Sequence, residues 1–387
     1  MSSNTLVIAD YPVGYASGFG ETLHNLFSGF PSEKLWSAHP AHVAPAEGKR
    51  RAQSIELPSP SRPRWLPSRI SLAYYPLLKM QQFRASRDAV RQLARVVQKN
   101  SIRNLLVIPV SPWILSAALA LHKQYSKLNL VLYVMDDWQG HHECHQLPYT
   151  RRRQRLLAEI VQRANVRYAI SREMAAHYEK SFGKSWSVVH NGVRNGSLHE
   201  TNGSSKPRQV LLAGDVNVFR FDAVLAFAEA IERHNRRNGG SIEFTVMGDV
   251  AEQHRPTLSG LARMLGRRSH SECLDAMKAA DLLYLPLAFG KKSSRISLYS
   301  LPTKLPEYLA TGKSVFFHAP QESAVFRVAE RYDLTPRLAT IEPAALDAFV
   351  ETWANGNGAN CTEKTKRALQ EEFDIDRLAA RFQAAFK

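Results

Sequence analysis

Lys304 and Glu307 stand three residues apart in the segment Ser300-Leu301-Pro302-Thr303-Lys304-Leu305-Pro306-Glu307-Tyr308-Leu309-Ala310-Thr311-Gly312, which runs straight into the apolar stretch Ser314–Phe317. The pattern reads as a loop, a short helix and a buried strand. Pro302 and Pro306 punctuate the loop and helix start, where a missing N–H costs little. Gly312 falls where a helix C-cap favours a residue free to take positive φ. On a helix, positions three apart share a face. An ammonium and a carboxylate held together beside a helix start suit a phosphate and a ribose hydroxyl respectively. Ser300 and Thr303 lie in the same loop and belong to the same candidate pocket. The plainer alternative is a surface ion pair at a helix start.

Three other constellations end strands. Leu211-Leu212-Ala213-Gly214-Asp215, then Asn217 and Arg220, puts a glycine loop and a guanidinium at a strand-to-helix junction, a plausible diphosphate clamp. Asp10 leads into Gly14-Tyr15-Ala16-Ser17-Gly18-Phe19-Gly20, with a helix expected from Thr22; Gly18 and Gly20 would let backbone approach a ligand. The spacing lacks the third glycine of the dinucleotide fingerprint, and no Walker sequence occurs. The run Leu130–Met135 ends in Asp136-Asp137-Trp138, carboxylates placed to act as a general base or to accept from a sugar hydroxyl. His141, His142, Cys144 and His145 follow too closely for a tetrahedral metal site without a further group, so no metal is expected. Ser269-His270-Ser271-Glu272 is a capping box, a structural device.

Positioning these groups requires strands. Continuous apolar runs occur at Leu6–Ala9, Leu105–Val110, Leu128–Met135, Val166–Ile170, Ser187–His190, Val210–Ala213, Ile242–Met247, Leu282–Leu287 and Ser314–Phe317, with helical patterns between them. Unbroken rather than alternating runs indicate strands buried on both faces. The expected architecture is α/β, two doubly wound domains with parallel sheets. The polar stretch Asn195–Pro207 reads as the linker, giving domains over 1–195 and 205–365 and a terminal helical piece over 366–387. Four prolines between Pro58 and Pro67 exclude helix or inner strand there.

At 387 residues with 44% apolar and 22% charged residues, the chain is long enough for two cores and excludes wholesale disorder. No basic n-region precedes the first apolar run, and no stretch approaches the roughly 18 apolar residues of a spanning helix. Cys144, Cys273 and Cys361 fit neither a disulfide framework nor a zinc ribbon, which points to a reducing cytoplasm. The charge is asymmetric. Residues 1–200 hold 26 Lys and Arg against 13 Asp and Glu, whereas 201–387 hold 25 against 22. A basic half beside a near-neutral half points to a polyanionic partner, an anionic membrane surface or nucleic acid. The pattern Leu77–Lys99 is an amphipathic helix with Lys79, Arg84, Arg87, Arg91, Arg95 and Lys99 on its polar positions, and Arg151-Arg152-Arg153-Gln154-Arg155 repeats the signal. An ordinary Arg-rich surface helix is the competing reading.

Four segments in order carry a resemblance: Tyr168-Ala169-Ile170-Ser171-Arg172-Glu173-Met174, Val188-Val189-His190-Asn191-Gly192-Val193, Ala279-Ala280-Asp281-Leu282-Leu283-Tyr284-Leu285-Pro286, and Pro302-Thr303-Lys304 through Glu307-Tyr308-Leu309-Ala310 to Gly312-Lys313. Together they resemble glycosyltransferases of the GT-B fold, in particular the retaining family 4, most strongly over residues 165–320. The resemblance implies two Rossmann-like domains facing across a cleft, with the terminal helix crossing back to the first. It implies a nucleotide-sugar donor held by the second domain, with Glu307 on the ribose and Lys304 and Arg220 on the diphosphate. The Gly18–Gly20 loop would close over the donor, and Asp137 falls near the reacting sugar. Transfer to an acceptor hydroxyl with retention, no cofactor and no metal are further implications, and a lipid-linked saccharide acceptor suits the basic half. The chain departs from many members at Tyr299, which stands where the first of two glutamates is due. Alternatives from other classes are a nucleotide-sugar epimerase of the same fold, a sugar-binding relative without catalysis, and a basic nucleic-acid-binding protein. Against the last, the basic residues lack an interleaved aromatic platform.

Overall fold

The structure, a computed structural model, describes residues 2–49, 51–60, 75–137, 147–194, 208–290, 294–356 and 363–387. Trp138, the His141–His145 cluster with Cys144, the segment 195–207 and Cys361 lie outside the described residues, as does most of the proline-rich stretch. The chain divides into two compact units, Met1–Asn191 with Ile375–Lys387, and Gly192–Asp374. The helix Glu363–Glu371 therefore belongs to the second unit, and the chain returns to the first only at Ile375, later than the sequence-based boundary at 366.

Every apolar run named above forms a strand, and four further strands join them. The first unit contains β1 (Thr5–Ile8), β2 (Leu35–Pro40), β3 (Gln53–Leu57), β4 (Asn104–Val107), β5 (Asn129–Val134), β6 (Val166–Ala169) and β7 (Ser187–Val188). They lie in the order β3-β2-β1-β4-β5-β6-β7, all parallel, with Thr5 paired to Leu35 on one side and Asn104 on the other. The second unit contains β8 (Arg208–Ala213), β9 (Ile242–Met247), β10 (Arg263–Met264), β11 (Leu282–Pro286), β12 (Ser314–His318) and β13 (Arg337–Leu338), ordered β10-β9-β8-β11-β12-β13 and again parallel. Both sheets reverse winding direction once, between β1 and β4 and between β8 and β11. Loops leaving the strand ends diverge at such a reversal and open a crevice for ligands.

Burial explains why the strands read as unbroken runs. Val210, Leu212, Val246, Leu282, Tyr284 and Phe316 pack with Val224, Phe227 and Ile231 of the helix Phe221–Asn238 into the second core. In the first unit, the helix Ile375–Gln383 docks on the helix Gly18–Leu26. Phe382, fully buried, meets the rings of Phe27, Tyr133 and Tyr168, and Gln383 Nε2 donates to the carbonyls of Leu26 and Ser28 at 2.8 Å each.

One boundary differs from the sequence reading in a way that touches the candidate site. The first helix begins at Gly18, not Thr22, because Ser17 caps it by accepting from the Gly20 N–H at 3.3 Å. Gly18 and Gly20 are thus in its first turn.

Candidate functional site

In the second unit, β8 ends at Ala213 and the chain turns through Gly214 to Arg220, which precedes the helix Phe221–Asn238. A Cβ on Gly214 would stand 2.6 Å from Arg220 Nη1, so the glycine leaves room for the guanidinium to fold over the strand end. There Nη1 donates to the Asp215 carbonyl at 3.2 Å. Burial lowers the Arg220 pKa, while Tyr308 and Asp215 act in the opposite direction. The cation stays charged, since an arginine starts so high.

The helix Leu305–Ala310 follows β11 in sequence and carries Glu307 and Tyr308. Lys304 Nζ donates to Glu307 Oε2 at 2.7 Å, with side chains 29% and 12% exposed. The neighbouring Tyr308 hydroxyl accepts from the Ala213 N–H at 2.7 Å, which ties this helix to the end of β8. Tyr308 is buried, and its surroundings include both Arg220 and Glu307. One buried phenol therefore joins the two halves of the expected cation set. Ser300 and Thr303 are half-buried in the loop that leads to Lys304. Tyr299, at the position of the missing glutamate, lies under the Arg295 guanidinium with 5.9 Å to the ring centre. Cys273 is near Lys304 and Glu307, and burial pushes its thiol up.

Several groups that hold this site were not visible as site residues in the sequence. Asp222 Oδ2 accepts from the N–H groups of Phe289 and Gly290 at 2.8 and 2.7 Å, and the Ala288 N–H donates to Phe219 O at 2.9 Å. The loops leaving β8 and β11 are thereby bound to each other beside the winding reversal. Arg267 bridges Asp249 and Asp215 at 2.6 and 2.9 Å. Asp222 had a signal available, a carboxylate in the first helical turn. Tyr308 and Arg267 had none, because their partners are distant in sequence.

The first unit presents different groups. Asp136 at the end of β5 is exposed. Asp137 is fully buried, and Tyr178 of the helix Arg172–Phe182 donates its hydroxyl to Oδ1 at 2.9 Å. The two carboxylates point to opposite environments, as alternation along an extended chain requires. After β1, Tyr11 and Tyr15 stack at 4.8 Å and Phe19 meets Tyr11 edge-on at 5.7 Å, all three half-buried. A side chain at Gly20 would overlap the Tyr15 carbonyl, so the space beside this glycine is occupied by the chain's own backbone. Glu21 pairs with Lys49, and burial, with the nearby Arg51 charge, lowers the His24 pKa. Among the described residues, no group of three or more His, Cys, Asp or Glu could hold a metal ion, and no helix is long and apolar enough to cross a membrane.

No protein-family model matches the chain, and no curated sequence matches it. Solved structures do. The sucrose-phosphate synthase of Thermosynechococcus elongatus superposes with a TM-score of 0.66 at 12% identity, covering 98% of this chain and 97% of that one. An E. coli trehalose-6-phosphate protein bound with UDP-2-fluoro glucose gives 0.67 at 10% identity, covering 99% and 98%. A putative UDP-N-acetylglucosamine 2-epimerase from Listeria monocytogenes gives 0.54 at 9% identity, covering 100% and 97%. At these identities the likeness is one of fold, and it extends over both units: two Rossmann-like domains of the GT-B type.

Proposed function

We propose that the chain is a glycosyltransferase, of the retaining family 4 type, that moves a sugar from a nucleoside-diphosphate sugar to an acceptor hydroxyl. The observation that carries this reading is that Tyr308, on the helix that opens with the Lys304–Glu307 pair, is bonded to the end of β8, where Arg220 folds over Gly214 at the winding reversal of the second sheet. When the anomeric C–O bond breaks, negative charge builds on the departing diphosphate. Arg220 and Lys304 are cations positioned to take up that charge, so the chain's own groups serve where other enzymes use a metal. Lys304 has three protons and can keep one on Glu307 while offering others to phosphate oxygens. Glu307 has a further oxygen to accept from ribose hydroxyls. Retention follows if the acceptor attacks from the face the diphosphate leaves, its proton passing to a phosphate oxygen.

In the first unit, contact with the acceptor falls to Asp136, the carboxylate that reaches solvent, while Asp137 positions the strand end through Tyr178. The acceptor in this reading is a lipid-linked saccharide of cell-surface polysaccharide synthesis. The basic first unit would meet an anionic membrane at its cytoplasmic face, without spanning it.

The test is thermal unfolding against a panel of nucleoside-diphosphate sugars. A bound donor stabilises by about 2.7 kcal/mol at a hundred times its Kd. Lys304→Ala and Glu307→Ala remove that shift; unchanged donor binding in both would sink the assignment. Product analysis with the donor that binds separates transfer from epimerisation.

A further inference from the structure

Met80 and Phe83 are the only large hydrophobic side chains exposed among the described residues, at 43% and 63%. Both lie on the helix Tyr75–Lys99, one helical turn apart on one face. The opposite face is fully used: Ala85, Ser86, Ala89, Leu93 and Val97 are buried, and the helix packs along its neighbour Pro112–Gln124. The exposed face continues from Met80 and Phe83 through Arg84, Arg87, Arg91 and Arg95 to Lys99, with Lys79 beside Phe83. Six cations stand against one acid, Asp88, which Arg91 engages at 3.4 Å. Among the described residues, Lys79, Arg84, Arg87, Arg95 and Lys99 have no acidic partner.

The basic tract of a third helix, Leu147–Arg163, is attached to the same place. Arg152 Nη1 donates to Gln82 Oε1 at 2.9 Å, and Arg151 and Arg155 are exposed. Arg153 differs: it is buried and donates to the Val110 carbonyl at 3.2 Å, so it belongs to the fold rather than the surface. The patch is therefore built from two helices, with its apolar side chains near the start of one of them.

We infer that this face is an interfacial membrane-docking surface in which Phe83 and Met80 enter the headgroup region of an anionic bilayer while Lys79, Arg84 and Arg87 hold its phosphates. Water-exposed apolar side chains ringed by unpaired cations match that boundary, where tails and anionic headgroups meet within one side-chain length. A nucleic acid would satisfy the cations, but leaves no reason to expose a Phe and a Met in their midst. The inference deepens the membrane part of the proposed function and is independent of the chemistry assigned to the second unit, because vesicle binding needs no donor.

The experiment uses the full chain and sedimentation with vesicles of phosphatidylcholine alone or mixed with phosphatidylglycerol, at low and high salt. The chain is expected to pellet with the mixed vesicles and not with phosphatidylcholine alone. Arg84→Glu with Arg87→Glu abolishes binding. Met80→Ser with Phe83→Ser weakens it by about tenfold or more, since a buried Phe is worth about that factor, and the binding that remains is lost at high salt. All four positions are exposed, so unchanged circular dichroism is expected for each variant. Equal binding by the Met80→Ser, Phe83→Ser variant overturns the insertion. Failure of the parent chain to pellet with anionic vesicles while it binds duplex DNA overturns the membrane and favours a nucleic acid. Loss of donor binding in Lys304→Ala without any change in vesicle binding leaves this inference standing and bears only on the enzyme.

Discussion

At the winding reversal of the second sheet, the strand ends present charge: Arg220 folded over Gly214, Lys304 on Glu307, and Arg267 across two aspartates. At the matching point of the first sheet the groups are largely aromatic: Tyr11, Tyr15 and Phe19 cluster after β1, Asp10 accepts from the Ser111 N–H of the loop leaving β4 at 2.9 Å, and one strand further, after β5, Asp137 is closed off by Tyr178. The strand order up to this point is the same in both sheets. What differs is what the loops bring to it. A parallel doubly wound sheet fixes where a ligand can sit, and the loop residues decide whether that ligand is an anion or an apolar, hydroxyl-bearing body.

The sharpest test of this contrast concerns how each unit is closed. Phe382→Ala removes a ring packed among Phe27, Tyr133, Tyr168 and Phe386, and should cost about 3–5 kcal/mol. Calorimetry should show this in the transition of the first unit, with Phe227→Ala doing the same to the second. A Phe382→Ala protein that melts like its parent would show that the terminal helix is dispensable. Next in size is Arg220→Gln, expected to lower kcat with the accepted donor by about 10²–10³-fold while the fold persists. An equal loss from Tyr15→Leu would erase the ionic-versus-aromatic distinction.

The third test is pH. His318 at the end of β12 is buried between the Tyr284 hydroxyl at 2.7 Å and the Thr340 carbonyl at 2.8 Å. A carbonyl only accepts, so the proton is on Nε2. Burial pulls the His318 pKa down from 6.5 to about 4, with the Thr340 bond opposing. Between those values the unfolded chain takes up a proton that the folded one refuses. Stability of the second unit is therefore complete above about pH 6.5 and falls by about 3 kcal/mol as the pH drops toward 4. Denaturant titrations across this range should show the slope, and His318→Leu should flatten it. The smallest pair compares the two carboxylate environments directly. Tyr178→Phe leaves Asp137 buried without that donor, at about 1–3 kcal/mol, whereas Arg267→Ala breaks an exposed bridge and should stay within about 1 kcal/mol.

Much of the fold was legible because inner parallel strands advertise themselves as apolar runs. β2 did not, although all six of its residues are buried. Its polar members reach partners outside the strand: Ser37 Oγ accepts from the Val13 N–H, and His39 Nε2 meets the Ser54 hydroxyl. Such bonds have no local signature. β3 escaped for the opposite reason, since as an edge strand it exposes Gln53 and Glu56. At the site, the meeting of Lys304 and Glu307 could be read from their spacing alone. The roles of Asp222 and Tyr308 could not, because each bonds across the sheet to residues tens of positions away. Nor could the sequence tell which of Asp136 and Asp137 faces inward, a matter of strand phase at a run's last residue.

The first unit begins at one end of the chain and is completed by residues 375–387. During synthesis, at about 5–20 residues per second, the intervening 192–374 take roughly ten seconds or more to emerge. For that interval Phe27, Phe30 and Tyr168 lack the rings of Phe382 and Phe386 that cover them in the finished protein. The nascent chain thus carries an uncovered aromatic groove. A chaperone that recognises apolar surface has a place to bind there until translation of the final helix evicts it, and a stalled ribosome would leave that groove open.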